Sequence, residues 1–310
     1  MPQPFHPNTS ILAVVVLYNC ELSQSQSVSS LLRILNENPA LAQHFSLVLY
    51  DNSPQPQSLA IQAGFPISYA HDPDNGGLAP AYNFALQRAE ADGYKWLLLL
   101  DQDTSLTREF LLELLETAGS LDTRSEVAAI VPKLLVNGEV HSPAPSFIDQ
   151  LRRQFLRPPQ AMKQDVVGVQ QQHLCAYNSG STLRVSALRS IGGFPAEFWL
   201  DFLDHAVFHA LFVSGYRMYV MQTALAHDFS HTEMETVPAW RLHNVLLAST
   251  LYLEQRGNFI DRLLYRIWLL RHARNVRQAC KDPRMWRETA LQALLLRVPK
   301  GPGFSSPTEP

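Results

Sequence analysis

Three short apolar runs, interrupted only by Ser46 in the second, constrain this chain more than any other feature. Residues 11–18 (ILAVVVLY), 45–50 (FSLVLY) and 96–100 (WLLLL) show no polar–apolar alternation. A strand with one wet face alternates. A run that is apolar throughout is a strand buried on both faces, as in a parallel sheet covered by helices. The intervening segments supply those helices. Val28, Leu31, Leu32 and Leu35 recur at i, i+3, i+4, i+7, and Leu78, Ala81, Tyr82, Ala85, Leu86 and Ala89 form a second stripe. Residues 67–70 read as a short strand, 106–115 open a further helix, and 127–136 read as a strand interrupted by Pro132. The expected class is α/β, a Rossmann-like and mostly parallel sheet with helices on both faces.

Each apolar run ends in polar residues: Tyr18-Asn19, Asp51-Asn52-Ser53 and Asp101-Gln102-Asp103. In such sheets ligands bind outside the carboxyl ends of the strands. Asp101 and Asp103 are two residues apart, a spacing that points side chains the same way along a strand. Aligned carboxylates repel unless a cation lies beside them. A divalent ion with oxygen ligands would resolve that repulsion and hold a diphosphate. A turn that caps the next helix uses the same residue types, so both readings stand on this stretch alone. Asn75-Gly76-Gly77 opens a helix, and glycine permits close backbone approach where a helix N-terminus favours phosphate.

The length of 310 residues fits one large α/β domain with an appendage, divided here as 1–236 and 237–310. The second part carries twelve Lys/Arg against five Asp/Glu, a balance of +7, and the first 13 against 23, or −10. Arg262, Arg266, Arg271, Arg274 and Arg277 lie among leucines and Trp268 in a helical region without a clean apolar stripe. A peripheral contact of 237–300 with an anionic membrane suits that mixture, as does a solvated helical face. No nucleic-acid partner is expected. Cys20, Cys175 and Cys280 form no CxxC and no disulfide framework, and residues 1–10 lack a basic stretch leading into an apolar core. No apolar run approaches the roughly 18 residues a membrane span needs. The expectation is a cytoplasmic protein, peripheral at the inner face of the cell membrane.

Residues 143–172 are rich in Pro and Gln and read as a long, partly mobile connection carrying Arg152, Arg153 and Arg157, either a lid or a plain linker. Order resumes at 174–184 with Asn178-Ser179-Gly180-Ser181, then Gly192-Gly193-Phe194 and the aromatic stretch 198–205. A helix is expected over 204–214, with Asp204 at its N-terminus, where a carboxylate is favoured for stability alone.

The order VVVLYN, LYDNS, NGGLAPAYN, WLLLLDQD, NSGSTLR, GGF and FWLDFLD resembles the inverting family 2 glycosyltransferases of GT-A fold over about residues 11–231. LLLLDQD and FWLDFLD are similar to its rhamnosyltransferase branch. The resemblance implies a nucleotide-diphosphate sugar donor, Mg²⁺ or Mn²⁺, and a glycan or lipid-linked glycan acceptor. It further implies transfer of rhamnose from dTDP-rhamnose in cell-surface polysaccharide biosynthesis. Asp103 and Asp101 match the metal-binding motif, with Asp101 also placed toward the ribose. Asp51 matches the base-contacting acid, beside Tyr18 and Asn19. Asn75, Gly76 and Asn83 match the nucleotide and donor positions, but Tyr82 stands where many members have Arg. Gly193 and Phe194 resemble the acceptor-side loop. Asp204 matches the catalytic base that an inverting transfer needs. Many members have Glu-Asp there; this chain has Leu203-Asp204, so Asp201 is the reserve. A His near His227 completes the metal shell in some related enzymes, although hard ions prefer oxygen.

His227/His231 and His205/His209 are spaced i, i+4, but no third ligand is suitably placed for zinc. Other classes remain: a UDP-sugar donor on the same fold, a nucleotidyltransferase, or a non-catalytic nucleotide-sugar binder. A nucleotidyltransferase wants a basic, Gly-rich phosphate loop near the N-terminus, and residues 19–30 hold neither Gly nor Lys.

Overall fold

The computed structural model describes residues 10–59, 61–156, 166–226, 238–279 and 283–296. Its strands are β1 (Ile11–Leu17), β2 (Phe45–Asp51), β3 (Ile67–His71), β4 (Trp96–Asp101), β5 (Val127–Val136), β6 (Glu139–Ser142), β7 (Ala144–Pro145), β8 (Gly168–Gln170), β9 (Leu174–Cys175), β10 (Thr182–Arg184) and β11 (Arg217–Ala226). Its helices are α1 (Gln26–Glu37), α2 (Pro39–Ala42), α3 (Leu78–Ala91), α4 (Arg108–Ser120), α5 (Phe147–Leu156), α6 (Val185–Ser190), α7 (Leu203–Val213), α8 (Ala239–Arg256), α9 (Phe259–Ala279) and α10 (Pro283–Leu295).

Two compact units divide the chain. Within the described residues, the first holds 10–144, 166–196 and 207–226, and the second holds 145–156, 197–206 and 238–296. The first is built on a nine-stranded sheet ordered β3-β2-β1-β4-β10-β5-β11-β8, with β6 added on β5. β1, β2, β3 and β4 run parallel, as the apolar runs of β1, β2 and β4 lead one to expect. Ile11, Ala13, Val15 and Leu17 share one buried cluster with Val28 and Leu31 of α1 and Phe110 and Leu114 of α4. The alternate residues Leu12, Val14 and Val16 are buried too, and α3 packs against β1 and β4.

The sheet is more mixed than the apolar runs alone imply. β10 lies antiparallel between β4 and β5, and β8 runs antiparallel to β11. Pro132 does not interrupt β5. It falls where the β11 pairing slips between Val220 and Ala224, so its missing N–H costs no ladder bond. The same slip frees N–H groups of β11, and the Glu113 carboxylate on α4 accepts from Gln222 N at 2.7 Å and Thr223 N at 2.8 Å.

The described parts of 143–172, residues 143–156 and 166–172, are more ordered than their composition suggests. They contain α5, whose start is capped by Ser146: its hydroxyl donates to Asp149 Oδ2 at 2.7 Å and accepts from Asp149 N at 3.3 Å. Arg157 lies outside the described residues. In the second unit, Arg152 of α5 grips buried Asp261 of α9 through Nε at 2.6 Å and Nη2 at 2.8 Å. Phe147 packs edge-on against Phe202 at 5.0 Å, Tyr265 at 5.9 Å and Trp268 at 6.3 Å, making an aromatic core for this unit. No described helix is long and apolar enough to cross a membrane.

Candidate active site

Parallel register brings the polar strand ends together. Leu17 pairs with Asp51, Val16 with Asp101, and Asp51 with His71, so β1, β2, β3 and β4 end side by side. Cross-links fix the loops beyond them. Tyr18 N donates to Gln102 Oε1 at 2.9 Å, Asn19 N to Ser53 Oγ at 2.9 Å, and Asn52 Nδ2 to Gly77 O at 3.1 Å. Asn19 has φ of 47° and stands exposed at the rim.

Asp51 is fully buried. Its Oδ1 accepts from Ser53 N at 2.9 Å, and its Oδ2 accepts from Tyr69 Oη at 2.8 Å and Gln57 Nε2 at 3.0 Å. Three donors compensate a buried carboxylate, so Asp51 is an internal anchor for the β2–β3 rim. Burial and then the negative neighbour push the Tyr69 phenol up, against the opposing hydrogen bond from Gln57 N. Gln57 and Tyr69 carry no motif in the sequence that would have singled them out.

The loop after β3 folds over Asp72, whose Oδ2 accepts from Gly76 N at 3.1 Å. A Cβ on Gly76 would meet that Oδ2 at 2.9 Å and Pro80 Cγ at 3.1 Å, so any larger residue would push the Asp72 carboxylate aside and crowd Pro80. Asn75, at φ 50°, precedes it.

The loop after β4 is held by serines. Ser25 Oγ donates to Gln102 O at 2.8 Å, Ser27 Oγ to Asp101 O and to Thr104 O at 3.0 Å, and Ser179 Oγ to Asp101 Oδ2. Ser179 also accepts from Thr104 Oγ1 at 2.9 Å. Asp101 is thus oriented, half-buried, by a residue of the NSGS motif. Asp103 is exposed, and among the described residues its carboxylate takes no hydrogen bond or ion pair. The nearby thiol of Cys20 is pushed up by burial and then by the charges of Asp103, Asp51 and Glu21. Asp103 and Asp101 are hard oxygen donors on one rim and could hold a divalent cation. His227 lies outside the described residues.

Asn83 lies on α3. Its Nδ2 donates to Phe194 O at 2.7 Å and its Oδ1 accepts from Phe194 N at 2.9 Å, which occupies the amide with the Gly193-Phe194 loop. Tyr82 is buried against the Phe194 ring at 5.1 Å, so the position that is Arg in many relatives is here a packing residue. The donor-side and acceptor-side positions that the sequence suggested are tied to each other in this chain.

Asp201 and Asp204 belong to the second unit. Asp204 lies in the first turn of α7, with Oδ1 accepting from His205 N at 2.7 Å. Asp201 Oδ1 pairs with Arg241 Nη2 of α8 at 2.8 Å, while its buried Oδ2 has no partner among the described residues. Burial pushes the Asp201 carboxyl up to about 6; Arg241 pulls it down and Asp204 adds to the rise. Burial holds the His205 imidazole below its usual range despite Asp204. No motif in the sequence singles out Arg241.

The model of the family "Glycosyl transferase family 2" matches residues 12–189, more than half of the chain. The chain belongs to glycosyl transferase family 2. Among solved structures, this family 2 chain is similar to S. aureus TarS 1-349 in complex with UDP, at 15% identity and TM-score 0.50, over 92% of this chain and 89% of that one. It is also similar to GalNAc-T7 with UDP, GalNAc and Mn²⁺, at 11% identity and TM-score 0.54, over 95% of this chain and 59% of that one. At such identities these likenesses establish the GT-A fold. No curated protein sequence matches this glycosyltransferase significantly.

Proposed function

We propose that this glycosyltransferase moves a sugar, rhamnose from dTDP-rhamnose in the first reading, onto a glycan or lipid-linked glycan acceptor with inversion, in cell-surface polysaccharide biosynthesis. The observation that carries the reading is Asp103: an exposed carboxylate with no hydrogen-bond or ion-pair partner among the described residues, two residues beyond Asp101, at the common carboxyl end of β1, β2 and β4. Asp103 and Asp101 would hold Mg²⁺ or Mn²⁺, which when bound neutralises the diphosphate leaving group. Mn²⁺ in the GalNAc-T7 structure supports a divalent ion. Tyr18, Asn19, Asn75 and Gly76 are the proposed donor contacts. Asp51 acts by holding that rim rather than by touching the base.

Asp204 is the proposed general base for the acceptor hydroxyl. Asp201 is the weaker choice, since one oxygen is committed to Arg241 and burial keeps the carboxyl protonated up to about pH 6. The catalytic assignment to 1–236, the basic helical assignment to 237–310 and a cytoplasmic setting at the inner membrane face belong to the same proposal. A UDP-sugar donor is the second reading, because both similar structures hold UDP.

A donor screen tests these readings. The protein with Mg²⁺ or Mn²⁺ is melted with dTDP-, UDP- and GDP-sugars, and protection ranks the donors. Donor protection that is unchanged in Asp103→Asn removes the metal role and with it the carrying observation.

A further inference from the structure

α9 carries its apolar residues on two sides. Its inward side, with Leu264, Tyr265, Leu269, Ala273 and Val276, is buried within the second unit. On the other side Phe259 is 79% exposed, Ile260 53%, Leu263 47%, Ile267 37% and Leu270 52%. At about 100° per residue these five fall within roughly one quarter of the helix circumference. They form a continuous outward stripe, which the residue order had concealed because the inward stripe overlies it. A solvated helix turns polar residues outward, and a stripe of this kind marks a contact surface.

Charge selects the occupant. α9 has five arginines and one acid, and that acid, Asp261, is buried and gripped by Arg152. Arg266 and Arg271 flank the stripe on its two edges, and Arg274 and Arg277 continue it toward the helix end; all four are exposed. Arg271 lies over the Phe155 ring and Arg277 over Trp286, while Arg266 and Arg274 have no acidic partner among the described residues. α10 repeats the arrangement, exposing Leu291, Leu294 and Leu295 with Arg284 and Arg287. A second copy packed symmetrically on α9 would bring arginines together with no carboxylate between them. An anionic bilayer supplies both missing halves: phosphate for the arginines and acyl chain for the stripe. No described helix is fit to span.

We infer that α9 lies in the plane of an anionic membrane surface, with its outward stripe inserted at the headgroup boundary. The inference does not rest on the donor chemistry, and its test contains neither donor nor metal.

The full chain is sedimented with phosphatidylcholine vesicles, with and without phosphatidylglycerol, at low and high salt. Binding is expected only with phosphatidylglycerol and is weakened by salt. Leu263→Ser with Leu270→Ser, and separately Arg266→Gln with Arg274→Gln, are each expected to lower apparent affinity roughly tenfold or more. Both pairs are exposed, so melting temperatures should not move, and the arginine pair stands alone if the leucine pair fails to fold. Phe259→Trp should shift its emission to the blue on those vesicles. No binding at low salt, or binding unchanged in both double variants, overturns the inference. So does a wild-type dimer in light scattering that Leu263→Ser with Leu270→Ser dissolves, which would make the stripe an interface between copies.

Discussion

Asn83 on α3 and the backbone of Phe194 hold each other through two opposed hydrogen bonds, at 2.7 and 2.9 Å. Gly193, at φ 80°, makes the approach feasible: a Cβ there would stand 2.6 Å from Asn83 Oδ1. Gly193→Ala therefore meets both backbone strain and a collision, and is expected to cost about 2–4 kcal/mol of stability. Asn83→Ala leaves buried Phe194 backbone groups unpaired, at about 1–3 kcal/mol. Denaturant titration of the two single variants and the double should show a total well short of the sum, because both break one lock. Additive losses would show that the two residues act separately.

Asp103 offers a different signature, loss of ligand linkage without loss of fold. Its carboxylate is exposed and bonds nothing described, so Asp103→Asn should melt with wild type when no metal is present. With metal and donor at about 100 times Kd, wild type should gain about 2.7 kcal/mol and the variant little. Ser179→Ala, which releases Asp101 Oδ2, should weaken metal binding less than Asp103→Asn does. Calorimetric titration with Mn²⁺ gives the order, and a larger effect at Ser179 would reverse the proposed roles.

Asp201 makes stability depend on pH in a stated direction. Its folded value of about 6 lies above the ordinary 3.8, so the folded chain binds its proton more tightly. That contribution is complete below the ordinary value and is lost as pH rises through about 6. Asp201→Asn should flatten the fall in stability between about pH 4 and 7, by roughly 3 kcal/mol at most. Urea midpoints across that range decide it, and parallel curves for the two proteins would mean that Asp201 takes up no proton on folding.

Glu113 closes the slip in β11, serving Gln222 N, Thr223 N and the Thr223 hydroxyl. Glu113→Gln keeps an acceptor and should cost about 0.5–1 kcal/mol, whereas Glu113→Ala leaves the exposed Gln222 N–H to water and takes the acceptor from the half-buried Thr223 N–H, and should cost about 1–2 kcal/mol. Amide exchange at Gln222 and Thr223 should accelerate in the alanine variant alone.

The parallel half of the sheet was legible because burial on both faces leaves an unmistakable trace: short apolar runs at β1, β2 and β4. The strand ends followed from the same trace, and with them Asp51, Asp101 and Asp103. Burial was not legible. The structure encloses Asp51 among Ser53, Gln57 and Tyr69, and no local pattern announces partners six and 18 residues away. The Asn83 lock is equally invisible locally, since its partner lies 111 residues on. α5 was missed although its capping signal, Ser146 three residues before Asp149, was present, because Pro and Gln dominated the reading of that segment. Pro132 was read as a break because a missing N–H matters only where a neighbour would use it, and the slip in β11 is a tertiary fact.

β10 has a consequence for how the chain can be made. β4 and β5 are joined in the sheet only through these three residues, which arrive in sequence long after both neighbours. During synthesis from the N-terminus, β1, β2, β3 and β4 can pair as they emerge. β4 must wait with one edge open until Thr182 and Leu183 are available, and β5 waits for them on one edge and for β11 on the other. Apolar strands with unpaired edges recruit one another between nascent chains. A ribosome that pauses before residue 182 therefore releases a chain prone to aggregate, and truncations short of β10 should need a chaperone to stay in solution.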